Sequence, residues 1–201
     1  MLFNPLNFVA TKLLISGCAL AVTTLNASTT LGHNFTLAAL NTTFPNANSS
    51  GAPLVLGSAG AIDGESFHLS STYYSYPFDD YPALSLVNGN LRAFDREGNW
   101  HTNASAPFMG YEALSWATST FYSNPASTAF SAINVPASIY PILAVNGVYN
   151  MWYLCPSDMR LGQDSVYYNT TSIGSSKAYP TDIDCYSVTL NMVPVSMSPM
   201  S

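Results

Sequence analysis

The sequence predicts a single all-β domain, an antiparallel β-sandwich or a closed barrel, and three observations predict it. Short runs of alternating apolar and polar residues recur along the chain, each bounded by turn formers, and no segment of the mature chain carries a long 3.6-residue apolar period with caps at both ends. Asn-Gly pairs punctuate two of these runs, and both residue types accept the positive φ that tight hairpin turns require. Charged residues make up only 8% of the chain, against roughly 25% in an average globular domain. Ser, Thr, Asn, Tyr and attached glycans must then supply much of the solubility, which suits a matrix or wall protein.

In chain order, Phe35-Thr36-Leu37-Ala38-Ala39-Leu40 reads as the first strand. A polar loop from Asn41 to Gly51 leads to Pro53-Leu54-Val55-Leu56. Glu65 to Ser70 alternates, which sets His68 beside Ser66 and Ser70 and opposite Glu65, Phe67 and Leu69; a solvated strand histidine is expected. Ala83–Val87 and Leu91–Phe94 flank Asn88-Gly89-Asn90 as the clearest hairpin. A polar turn, Asp95 to Asn99, precedes Trp100 and His101, which are expected on an exposed loop. Further strands are expected at Ala113–Thr118, Thr128–Ile133, Ser165–Asn169 and Tyr186–Met192. A second hairpin is expected from Ile142–Val145 through Asn146-Gly147 to Tyr149–Leu154. The stretches that open at Pro53, Pro82 and Pro141 resemble one another, so a β-trefoil-like repeat is the alternative architecture.

The N-terminus has the layout of an export signal. Lys12 precedes the apolar run Leu13 to Val22, and small and polar residues follow to Leu25-Asn26-Ala27. Residues 1–27 are therefore read as a signal peptide, and 28–201 as one secreted β domain with a flexible tail from about residue 194. The run Ile15-Ser16-Gly17-Cys18 also fits a bacterial lipobox, which would make Cys18 a lipidated terminus; the apolar run continues past it, and the sequons favour a eukaryotic route. The apolar run is shorter than the roughly 20 residues a membrane helix needs, and the C-terminus has no hydrophobic tail of the kind that specifies a lipid anchor. No transmembrane span is expected. Sequons begin at Asn26, Asn34, Asn41, Asn48, Asn103 and Asn169; all but Asn26, which leaves with the signal, are candidate glycan acceptors.

With a net charge of −6 and only five Lys and Arg residues, the chain has no basic stripe for phosphates, so nucleic acid is excluded as a partner. Once Cys18 leaves with the signal, Cys155 and Cys185 remain, and an oxidising compartment favours a disulfide between them. No G-x-S-x-G, H-E-x-x-H or G-x-x-x-x-G-K motif occurs. Acidic residues occur in close pairs at Asp63/Glu65, Asp79/Asp80, Asp95/Glu97 and Asp182/Asp184, but folding could bring any two carboxylates the roughly 5–10 Å apart that a glycosidase needs, so the pairs carry little specificity. Asp182 and Asp184 supply fewer oxygens than a calcium loop needs. No catalytic residue, metal or cofactor is assigned. The densest aromatic cluster, Tyr73, Tyr74, Tyr76 and Tyr81 in a Pro-bearing stretch with Asp79 and Asp80, is the candidate carbohydrate-contacting surface, since flat rings stack on sugar faces while Asp accepts from hydroxyls.

Several short segments resemble small secreted fungal cell-wall proteins of the phialide-protein (PhiA-like) type and the related IgE-binding cell-wall proteins. They are Phe35-Thr36-Leu37-Ala38-Ala39, Ala52-Pro53-Leu54-Val55-Leu56, Ala83-Leu84-Ser85-Leu86, Asn90-Leu91-Arg92-Ala93-Phe94, Trp152-Tyr153-Leu154-Cys155-Pro156 and Asp184-Cys185. The resemblance implies a wall or extracellular role, supports Cys155 and Cys185 as a structural disulfide, and carries over no catalytic residue. The expected function is thus a non-enzymatic secreted glycoprotein of the wall or matrix, located outside the cell or in the wall. The alternatives are a carbohydrate-binding module for wall polysaccharide, a polysaccharide hydrolase, and a self-assembling structural protein.

Overall fold

The computed structural model describes residues 25–105, 111–119, 126–156, 162–169 and 185–195. The apolar run with Cys18, the Asp182/Asp184 pair and the last six residues of the tail lie outside the described residues.

Every described element is a strand. In order they are β1 (Ala27–Ser28), β2 (Phe35–Asn41), β3 (Ala52–Ile62), β4 (Glu65–Thr72), β5 (Ala83–Val87), β6 (Asn90–Phe94) and β7 (Trp100–Ser105). There follow β8 (Tyr111–Ala113), β9 (Ser115–Ser119), β10 (Phe130–Ile133), β11 (Ile142–Val145), β12 (Trp152–Cys155), β13 (Ser165–Asn169) and β14 (Tyr186–Pro194). Nine of them close an antiparallel barrel in the order β2, β14, β12, β13, β4, β9, β7, β6, β5 and back to β2. β3 lies between β4 and the end of β2, β8 adds to β13, and β10, β11 and β1 extend the sheet from β14. The Pro-led stretches do not form a trefoil repeat: β3 pairs β4, β5 pairs β6, and β11 pairs β10 and β14.

An odd ring of antiparallel neighbours closes only if strands turn corners, and two links of the ring rest on one residue pair each: Phe35↔Leu84 between β2 and β5, and Ser165↔Ser71 between β13 and β4. Side chains reinforce the second corner. Ser71 and Ser165 hydroxyls lie 3.2 Å apart, Ser71 Oγ donates to Gln163 Oε1 at 3.1 Å, and Gln163 Nε2 donates to Ser58 O at 2.8 Å. Gln163 is fully buried, so its bonds to Ser71 and Ser58 offset the desolvation of its amide. Gly57 leaves the room: a side chain there would meet the Gln163 amide.

Period-two alternation fills the interior. Phe35, Leu37 and Ala39 of β2, Leu54 and Leu56 of β3, and Val188, Leu190 and Met192 of β14 face one core with Trp116, Phe130 and Trp152. Trp152 Nε1 donates to Leu143 O at 2.9 Å, and its ring meets Tyr168 edge-on at 4.7 Å. The disulfide joins Cys155 to Cys185 across β12 and β14, in line with the Leu154↔Tyr186 pair. It closes a loop of 30 residues, worth about 3–4 kcal/mol in a chain-entropy account. The last strand runs through Pro194, and Val195 N donates to Asn34 O at 3.0 Å.

The first expected hairpin forms in full, from Ala83↔Phe94 to Val87↔Asn90, with Asn88 and Gly89 at φ 51° and 77°. The second does not. Asn146 and Gly147 make the same turn (φ 51° and 79°), but it closes on the single bridge Val145↔Val148. β11 then pairs β10 and β14, and β12 pairs β13 and β14, so the two strands are not neighbours. Trp100 and His101, expected on a loop, begin β7, which pairs β6 and β9.

Candidate functional site

The β3–β4 turn, the β6–β7 turn and the segment entering β5 meet at one end of the barrel. His68 is opposite Trp116 of β9 and Ser58 of β3 in register. Cross-strand partners share a face, and Trp116 is in the core, so His68 points inward. It does share that face with Ser66 and Ser70, but the face is the barrel's inner one, lined also by Leu54 and Leu56 opposite Thr72 and Ser70. The expected solvated histidine is instead a half-buried one whose Nε2 is buried and has no protein hydrogen-bond partner.

Tyr81 covers it. The Tyr81 ring meets His68 edge-on at 5.3 Å, meets His101 at 5.5 Å, and packs on the core cluster. His101 reaches this position because β7 carries a register shift where Ala93↔Thr102 gives way to Phe94↔Trp100, which inserts His101 as an extra residue. Its neighbour Trp100 is 52% exposed, and the Arg92 guanidinium lies 4.1 Å from the indole centroid. That contact holds the ring in place while leaving half its surface open.

Beside His101 an open groove of about 510 Å³ is lined by Ile62, Asp63, Glu65, Ser66 and Thr118 as well as His101. Thr118 and Ser66 are tied together: Ser66 N donates to Thr118 Oγ1 at 3.2 Å, and Thr118 Oγ1 lies 3.3 Å from Ser66 O. At the other side of Tyr81, Arg96 donates to Asp79 O at 2.9 Å and pairs with Asp80 at 3.3 Å. Asp95 accepts from Asn99 N and from its side-chain amide, which hold its carboxyl below the usual range.

Electrostatics follow burial. Desolvation lowers the His68 pKa, with the His101 charge adding to this and Asp80 opposing it, so His68 favours its neutral form. Desolvation raises Asp79, opposed by Arg96 and assisted by Asp80. Tyr81 is raised by burial and by Asp80 and Asp95. The His101 ring, the hydroxyl-bearing Ser66 and Thr118, and the carboxylate-bearing Asp63 and Glu65 line the groove, with Tyr81 in ring contact with His101 behind it. Among the described residues, no three His, Cys, Asp or Glu side chains could hold a metal ion.

No protein-family model, curated protein or solved structure matches this chain.

The four tyrosines singled out in the sequence do not form one surface. Tyr73 and Tyr74 leave the end of β4 and are exposed, Tyr74 almost entirely at 94%. Tyr76 is half-buried and meets Phe78 edge-on at 5.2 Å. Only Tyr81 joins the barrel end. His68, His101 and Trp100 were not assigned to a site from the sequence, although Trp100-His101 directly after a polar turn was a visible signal. Among the sequons, Asn48 is exposed and Asn34, Asn41 and Asn103 are half-buried. Asn41 and Asn48 cap local turns through their Oδ1 atoms, accepting from Thr43 and Phe44, and from Ser50 and Gly51. The side chain of Asn169 lies outside the described residues.

Proposed function

We propose that this protein is a secreted, N-glycosylated component of a cell wall or extracellular matrix that binds polysaccharide at one end of its barrel without cleaving it. The observation that carries the reading is His101, in ring contact with Tyr81 and next in the chain to exposed Trp100, lining a groove with Ser66, Thr118, Asp63 and Glu65. Aromatic faces stack on sugar rings, and hydroxyls and carboxylates bond to sugar hydroxyls; strands carry His101, Ser66, Glu65 and Thr118, while Tyr81 and Asp63 lie between strands. The export signal, sequons, low charge and resemblance to fungal wall proteins support the location.

A second reading, polysaccharide hydrolysis, is favoured by one observation, the raised pKa of half-buried Asp79, since a glycosidase needs one protonated carboxyl. Asp79 and Asp80 are consecutive, and Asp80 is paired with Arg96, which favours binding over hydrolysis.

The test is a retention assay of the glycosylated protein on chitin, β-glucan, mannan and cellulose, with released sugar measured in the same samples. Retention on one of them, lost in a Trp100→Ala/His101→Ala variant and with no sugar released, is the expected result. Released oligosaccharide supports the hydrolase. Neither retention nor release overturns both readings and leaves a structural or self-assembling role.

A further inference from the structure

The described residues begin at Leu25, and β1 joins the sheet extension beside the barrel. Ala27 and Ser28 of β1 pair with Ile133 and Ala132 of β10, and Asn26 O accepts from Asn134 N at 3.4 Å. The chain then runs along the first Asn-Gly turn. Thr29 O accepts from Gly89 N at 2.7 Å, Thr30 Oγ1 accepts from Asn88 N at 2.9 Å, and Leu31 N donates to Leu86 O at 3.0 Å. A cut after Ala27 would remove one of the two β1 pairs together with the Asn26 contact. It would also place a new charged amine inside the strand.

The sequence holds a second cut site that avoids this. Ala19-Leu20-Ala21, near the end of the apolar run, has the small-x-small pattern a signal peptidase reads, whereas Leu25-Asn26-Ala27 has a bulky residue at the first of those positions. We infer that the leader is removed after Ala21, so that the mature chain begins at Val22 and keeps the sequon Asn26-Ala27-Ser28 as a sixth glycan acceptor. The inference rests on the reading of the protein as secreted.

Water adds across the Ala21–Val22 peptide bond, leaving a carboxylate on Ala21 and an amine on Val22. Asn26 Nδ2 then bonds to the anomeric carbon of an oligosaccharide carried on a lipid pyrophosphate; the lipid pyrophosphate leaves and the amide loses one proton. Asn26 is exposed, and β1 is the terminal strand of the sheet extension. A glycan at that point would cover an edge that otherwise offers unpaired backbone groups to another chain.

The experiment is expression of the full chain in a eukaryotic secretory host, followed by N-terminal sequencing of the protein recovered from the medium. Peptide mass analysis after enzymatic deglycosylation, which converts a glycosylated Asn to Asp, reads position 26. A Val22 terminus with Asn26 converted to Asp is the expected result. Secreted protein that begins at Ser28 overturns the inference and leaves the secretion reading standing. A Val22 terminus with Asn26 unconverted overturns the glycan assignment. Protein retained in the cell with Met1 intact, or lipidated at Cys18, overturns the secretion reading itself.

Discussion

Tyr74 and Tyr81 belong to the same aromatic stretch, yet they end in opposite situations. Tyr74 is 94% exposed after the end of β4, with no ring contact among the described residues. Tyr81 is half-buried, wedged between His68 and His101 and packed on the core. Exposure alone therefore does not mark the site. A ligand surface needs rings whose orientation is set by packing and whose neighbours offer hydrogen bonds, and among the described residues the barrel end around Tyr81 and His101 combines the two.

The largest effect that separates the two is on stability. Tyr81→Ala should cost about 2–3 kcal/mol through lost core contacts, whereas Tyr74→Ala should stay within about 0.5 kcal/mol, both read by denaturant melts. Equal effects would break the comparison. Next comes binding, read with exposed positions so that folding is preserved. Trp100→Ala/His101→Ala should weaken polysaccharide affinity about tenfold, the equivalent of about 1.4 kcal/mol, and Tyr73→Ala/Tyr74→Ala less than about twofold.

A pH titration sharpens the contrast further. The folded His68 pKa lies below 6.5, so as pH falls the unfolded chain takes up its proton first. This group's contribution is fully present above about 6.5 and is lost as pH falls from there to the folded pKa. NMR should show the His68 ring titrating below the ordinary histidine value of 6.5, and His68→Gln should flatten that part of the stability profile. The smallest effect concerns Arg96. Its 3.3 Å pair with Asp80 is solvent-exposed, so Arg96→Ala should change stability by less than about 1 kcal/mol. Because Arg96 opposes the burial that raises Asp79, the same variant should push that carboxyl higher still.

Much of the fold was legible because a half-buried strand writes its period into the sequence. Phe35-Thr36-Leu37 and Ala83-Leu84-Ser85-Leu86 alternate cleanly, and both became strands. Trp100-His101-Thr102-Asn103-Ala104-Ser105 hid β7 because only Trp100 and Ala104 are apolar and the register shift at His101 breaks the period. The two Val-Asn-Gly turns show where local signals stop. Both adopt the same backbone, but only the first has a return strand free to pair; the second loses its partner because β14 takes both β11 and β12. Alternation grouped His68 with Ser66 and Ser70 correctly. Polarity then pointed that group outward, and only the cross-strand neighbours Trp116, Leu54 and Leu56 reveal that it lines the interior. The barrel-end site was hidden for the same reason: its members come from β4, β7 and the segment before β5, and long-range pairing brings them together.

The most direct measurement is an NMR titration of the protein with soluble oligosaccharides of chitin, β-glucan, mannan and cellulose. The account predicts that one series shifts the Trp100 indole, His101 and Tyr81 signals in a saturable way while Tyr73 and Tyr74 stay still. Saturable shifts confined to Tyr73, Tyr74 and Tyr76, or no shifts with any of the four, would contradict it.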